Sequence, residues 1–274
     1  MMKRGKSLIL MVLWAASLMT TLTAQSVWAA PKDDFFKAVA NDNESALLTL
    51  MLRGFDVNTV DEKGRSGLYM AAAEGSFKIA KVLLDWNLTN VDARTPQDEN
   101  PLMMAALKGH VALVKSIIAR GGDVNKTGWT PLHYAATGGN LEIIKLLLEA
   151  HAYIDAESPN RTTPLMMAAM YGTADAAKLL MEEGADPTLK NEKGLTAIDF
   201  ALMAKRDDVA QAIGKTIRLK QPGAAPADPA AKTAPVPKAV TKAEPVTTVP
   251  MQLKNETQIN FQFESMQTPG KTAN

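Results

Sequence analysis

The chain has 274 residues, enough for one or two domains. Apolar residues make up 46%, so a sizeable core can form, and 30 basic against 29 acidic side chains leave a net charge of +1. A nearly neutral chain argues against nucleic-acid binding, which depends on a concentrated basic field. There is no cysteine and there are three histidines. Thiolate catalysis, disulfides and cysteine-based metal sites are therefore excluded, and the composition favours a protein without enzymatic activity, cofactor or metal.

Residues 1–29 have the order of a secretory signal peptide. Three cations near the N-terminus precede an apolar run from Leu8 to Met19, and small and polar residues follow. A membrane anchor would need about 20 apolar residues, so we expect no stable membrane insertion after cleavage. Val27 and Ala29 suit the −3 and −1 positions and predict cleavage after Ala29. The cationic start predicts export to a bacterial periplasm.

The composition changes after Lys220. Pro and Ala account for 15 of the 30 residues from 221 to 250, which predicts a disordered, extended linker. In the tail, residues 251–274, Ile259, Phe261 and Phe263 alternate with polar residues, as on one face of a short strand. Two interpretations stay open. The tail is either a disordered terminus with incidental aromatics, or a peptide that docks on this or another protein by adding a strand.

The middle of the chain consists of internal repeats. Each repeat opens with a short apolar segment rich in alanine, and a second apolar run follows half a repeat later. The repeats start at Ser66, Asn100, Thr130, Thr163 and Thr196, and one more step back from the first reaches Asp33. The period is roughly 33 residues, within the range typical of stacked helical repeats. This spacing predicts an all-α solenoid of six helix-turn-helix units over residues 31–220.

The repeat resembles the ankyrin repeat. Thr130-Pro131-Leu132-His133 is the family's helix-opening tetrapeptide, and the phase holds through six units. The resemblance implies an ankyrin-repeat solenoid with short hairpin loops, whose first and last units act as caps. It also implies that His133 hydrogen-bonds the adjoining loop. By this resemblance the protein is a non-catalytic protein–protein interaction module, and we expect a monomer.

Two hairpins depart from the family pattern. The one between Asn125 and Thr130 is a few positions too short, so we expect a stunted finger. Arg161 stands where glycine is expected before Thr163, which predicts an irregular turn around Pro159 and Asn160.

In ankyrin proteins, partners usually meet the hairpin tips and the concave face of the first helices. The matching positions, the predicted partner surface, include Glu62, Lys63, Arg65, Glu74, Glu99, Lys108, Trp129, Thr137, Asn160, Met170, Tyr171 and Lys193. Exposed aromatic side chains are frequent hot spots, so we expect binding to centre on Trp129 and Tyr171. The alternative is that Trp129 packs on a neighbouring hairpin.

The resemblance extends to secreted bacterial ankyrin proteins. It implies a role in the periplasm, and two such roles stay open. Some such proteins support catalase and resistance to oxidative stress, and others are immunity proteins that neutralise a toxin in the periplasm. The segment PLMMAA occurs twice, from Pro101 and from Pro164. Its methionines either fill gaps in the core or form a redox-sensitive surface.

Overall fold

The structure, a computed structural model, describes residues 31–220. The predicted signal peptide, linker and C-terminal tail lie outside these residues. The described residues form six pairs of helices: α1 (31–40), α2 (Glu44–Leu52), α3 (Gly67–Glu74), α4 (Phe77–Asp85), α5 (Pro101–Lys108), α6 (Val111–Ala119), α7 (Pro131–Gly138), α8 (Leu141–Glu149), α9 (Pro164–Met170), α10 (Ala174–Glu182), α11 (Ala197–Met203) and α12 (Asp207–Lys220).

The pairs stack in two layers. The first helices α3, α5, α7, α9 and α11 each contact the next, and the second helices α2, α4, α6, α8, α10 and α12 do the same. Extended pairing within residues 31–220 is confined to one antiparallel bridge between Val60 and Ser66. The prediction of an all-α solenoid of six units is confirmed.

The first helices begin at residues that satisfy their free backbone N–H groups. The side chains of Asn100 and Thr163 accept from the backbone N–H three residues later. Pro131 occupies the first position of α7, where a missing N–H costs nothing. At the other end of α5, Gly109 has φ 78°, a left-handed conformation in which its N–H caps the helix.

Small residues let the first helices pack closely. The alanine pairs of α3, α5, α7 and α9 are buried, and a Cβ at Gly172 would lie 2.1 Å from the Ala136 carbonyl oxygen. The four PLMMAA methionines, Met103, Met104, Met166 and Met167, are each at most 2% exposed. They fill the core, and the alternative of a redox-sensitive methionine surface is wrong for these residues.

Candidate functional site

The hairpins between units share one backbone conformation. The residue two positions before the N-cap of each first helix from α3 onwards is left-handed, with φ between 60° and 78°, which turns the chain back towards the helix; these residues are Gly64, Asp98, Gly128, Arg161 and Gly194. In four hairpins a backbone N–H donates to the carbonyl four residues later, starting from Asp61, Thr95, Ser158 and Asn191. The tips are therefore rigid loops that present their side chains at fixed positions.

The hairpin at Arg161 follows the same pattern, so the predicted irregular turn is wrong. Arg161 has φ 60°, and the Ser158 N–H donates to the Thr162 carbonyl at 3.0 Å. The Arg161 guanidinium pairs with both carboxylate oxygens of Glu157, at 3.0 and 3.1 Å. Arginine thus adopts here, within a regularly hydrogen-bonded hairpin, a conformation that glycine usually occupies.

In the short hairpin a buried lysine side chain holds the loop. Lys126 Nζ donates to the carbonyls of Thr127 and Trp129, at 3.0 and 2.8 Å, and lies 2.6 Å from Asp98 Oδ2 in the preceding hairpin. The Lys126 side chain is 0% exposed. A buried ammonium is tolerated only with such partners, so Lys126 ties the second and third hairpins together.

The prediction that Trp129 is an exposed hot spot is wrong. Trp129 is 4% exposed, and its ring lies edge-on to that of His133, with centroids 5.2 Å apart. The residue sits just before the N-cap of α7, and the shortened loop keeps its indole against the helix. Thr137 is buried as well, and its hydroxyl donates to the His133 carbonyl at 2.9 Å. Neither side chain offers substantial surface to a partner.

Glu99 is held by two tyrosines from neighbouring units. The hydroxyl of Tyr69 in α3 donates to Glu99 Oε2, and that of Tyr134 in α7 donates to Oε1, both at 2.7 Å. Burial, and then the charge of Glu99, raises the pKa of Tyr69, so this phenol stays protonated and donates. The half-buried Glu99 carboxylate is therefore fixed at the centre of three successive units.

The other positions of the predicted partner surface retain exposure. Four of them are exposed: Glu62, Lys63, Glu74 and Lys193. The rest are half-buried: Arg65, Lys108, Asn160, Met170 and Tyr171. The Asn160 side chain accepts from the Ser158 hydroxyl at 2.6 Å, which orients it within its own hairpin. Together with Glu99, these residues give a surface of both charge signs along the hairpins and the ends of the first helices.

Both ring nitrogens of His133 make hydrogen bonds within the fold. Its Nδ1 lies 3.2 Å from the Thr130 N–H, and its Nε2 lies 2.8 Å from the Thr162 carbonyl oxygen. Because a carbonyl only accepts, Nε2 carries the proton and donates to the next hairpin, which confirms the predicted loop contact. Burial lowers the pKa of His133 to about 4. With both nitrogens engaged and the ring buried, His133 is not placed to act as a base on a substrate.

No group of side chains within residues 31–220 is arranged to hold a metal ion. The helices of that same region are too short or too polar to cross a membrane.

Sequence reasoning missed Lys126, Tyr69 and Tyr134. The shortened hairpin was the signal for Lys126, because a truncated loop needs another way to satisfy its carbonyls. The two tyrosines lie 30 and 35 residues from Glu99 and at different positions of their repeats. No periodicity connects them with that carboxylate.

Family models for ankyrin repeats match residues 35–126, 88–158 and 152–201 of the chain. The chain therefore belongs to the ankyrin-repeat family, and its repeats form a protein-interaction module. Proteins of this family are generally non-catalytic.

Two similar proteins are much longer than this chain. Ankyrin repeat and SAM domain-containing protein 6 of Rattus norvegicus is 33% identical over 154 residues, 55% of this chain and 14% of that protein. The nuclear factor NF-kappa-B p105 subunit of Gallus gallus is 29% identical over 178 residues, 62% of this chain and 18% of that protein. The chain thus spans less than a fifth of these relatives.

A solved structure matches a larger fraction of this chain, and nearly the whole of the matched chain. It is a chain of the complex of the Bd0816 predatory endopeptidase from Bdellovibrio bacteriovorus with the immunity protein Bd3460. The identity is 28% and the TM-score 0.59, over 66% of this chain and 97% of that chain.

Proposed function

We propose that this protein is exported to the periplasm and binds a folded protein partner there, as a monomer and without catalysing a reaction. The observation that carries the proposal is the rigid, charged surface along the hairpins and first helices. Glu99 is fixed by two phenols, and Glu62, Lys63 and Glu74 stand exposed on the neighbouring unit. A carboxylate fixed in this way favours recognition of one partner over others, because it needs little ordering on binding, and the surrounding charges of both signs add electrostatic selectivity.

Of the two roles that the resemblance implies, we favour the immunity role. The similarity to a chain of a peptidase–immunity protein complex covers nearly the whole of that chain and supports this choice. A link to oxidative stress through the PLMMAA methionines has no support, since those methionines are buried. The partner on this proposal is an exported enzyme whose activity the ankyrin surface blocks.

The test is affinity capture from periplasmic extracts with the mature chain and two charge-reversed variants. The first carries Lys63→Glu and Glu74→Lys, both exposed on the predicted partner surface. The matched control carries Lys145→Glu and Glu149→Lys, both exposed on the second helix α8. Each pair leaves the net charge unchanged, so a difference between them reports position on the solenoid.

We expect the wild type and the α8 variant to retain the same enzyme and to inhibit it. The Lys63/Glu74 variant should bind at least about ten-fold more weakly, since like charges placed across an interface repel. Equal binding by all three proteins would place the interface elsewhere. A captured partner that keeps full activity in the complex would contradict the immunity role while leaving the binding role intact.

A further inference from the structure

The C-terminal end of the described solenoid carries an open groove. In the preceding units each helix is covered by its successor, α9 by α11 and α10 by α12, but no described helix follows α12. The groove there has a volume of about 500 Å³. Its lining combines apolar residues of α11 with the outer side of α12: Ile198, Leu202, Asp207, Ala210, Gln211, Gly214, Lys215 and Arg218.

Apolar surface remains exposed at this end of the fold. Leu202 is 50% exposed and Met203, beside it, 59%. Gly214 lies in the interior of α12, where glycine is the least favourable residue after proline. A Cβ at Gly214 would meet no atom within 4 Å, so packing within the solenoid does not require a glycine. A glycine in this place leaves room for another backbone to approach the helix.

We propose that residues 255–267 of the same chain bind in this groove as an extended segment. Ile259, Phe261 and Phe263 would form one apolar face, directed at Ile198 and Leu202. From Ile259 to Phe263 an extended chain covers roughly 13 Å. The lining residues of α12, from 207 to 218, cover roughly 16 Å along the helix. The apolar face from Ile259 to Phe263 therefore fits the length of the groove, and the flanking residues of the segment extend beyond its ends.

Charge and hydrogen bonding agree with this occupant. Residues 255–267 contain Glu256 and Glu264 and no Lys or Arg. The groove is lined by Lys215 and Arg218 against one acid, Asp207. Gln211 has both donors and acceptors for the backbone of an extended peptide. Strand addition, one of the two interpretations of the tail left open by the sequence, would need a sheet edge, and residues 31–220 contain only the single Val60–Ser66 bridge.

The connecting chain is long enough for an intramolecular contact. Residues 221–258 comprise the predicted extended linker and the start of the tail, and at roughly 3.1 Å per residue they can span far more than the distance back to the groove. Lys220 lies roughly 10 Å along α12 from Gly214. Because the segment is covalently tethered, its binding is intramolecular and its effective concentration at the groove does not depend on the protein concentration, which favours filling of a weak site. This is the reason for choosing the chain's own tail over a second copy as the occupant.

The test is hydrogen exchange of the full mature chain, read on the amides of residues 256–265. In the wild type we expect exchange at least about ten-fold slower than for an unstructured peptide. Phe261→Ser with Phe263→Ser should abolish this protection. Asn260→Ser with Gln262→Ser, on the opposite face of the same segment, should preserve it. Gly214→Leu should also abolish it, because Gly214 lines the groove and a Cβ there meets no atom of the solenoid within 4 Å, so the new side chain can occupy the groove.

Three results would overturn the proposal. Unprotected tail amides in the wild type would show that the segment does not bind. Protection that survives Gly214→Leu would show that the segment binds outside the groove. Protection that falls on ten-fold dilution of the protein would make the occupant a second copy, which ultracentrifugation would register as a dimer.

Discussion

Replacing Lys126 by methionine should substantially lower the free energy of unfolding. Methionine keeps much of the buried stem but leaves the carbonyls of Thr127 and Trp129 without their donor. Removing one partner of a buried ion pair costs about 3–5 kcal/mol. Asp98, the other partner, is 50% exposed and can regain water, which reduces the expected loss to about 2 kcal/mol. Urea denaturation should show a midpoint lower by about 1 M, and the melting temperature should fall by about 6 °C.

Lys81→Met is the matched control. Lys81 Nζ lies 2.6 Å from Asp85 Oδ2, the same separation as in the Lys126–Asp98 pair, but the Lys81 side chain is 77% exposed. Solvent screens this pair, so we expect an unchanged urea midpoint. Equal midpoints for Lys126→Met, Lys81→Met and the wild type would refute the view that burial makes Lys126 structurally important.

Three further predictions concern stability and export. His133 has a pKa of about 4 in the fold and an ordinary value of 6.5 when unfolded, so the free energy of unfolding should fall by about 2 kcal/mol as the pH is lowered from 7 to 5. His133→Gln should flatten this pH dependence in urea titrations. An equally steep fall in that variant would contradict the role assigned to His133. Gly172→Ala places a Cβ 2.1 Å from the Ala136 carbonyl oxygen and should lower the melting temperature by several degrees. Gly214→Ala, at an open helical position, should raise the melting temperature slightly. A higher melting temperature for Gly172→Ala than for Gly214→Ala would contradict this packing. Mass spectrometry of the periplasmic fraction should find a mature chain beginning directly after Ala29, and an intact N-terminus in the membrane fraction would indicate an anchor instead.

The sequence alone determined the architecture. The regular repeat period, the proline at the start of α7 and the glycine at the end of α5 each state a local backbone requirement. Because these requirements recur in every unit, and because a single unit cannot bury its apolar face alone, the units must stack on one another as a solenoid. The register of the repeats likewise placed Glu62, Lys63 and Glu74 at exposed positions. These features depend only on neighbours along the chain.

The tertiary structure decided which side chains at those positions reach the surface. Trp129 occupies the position equivalent to Glu99, yet one is buried and the other is held half-exposed by two phenols. The difference has two causes. The hairpin before α7 is shortened, so Trp129 lies against that helix, and Lys126 replaces the missing hairpin hydrogen bonds with contacts that reach Asp98 in the preceding hairpin. Burial of a loop side chain depends on the adjoining loops, and contacts between residues a whole repeat apart leave no trace in a local pattern.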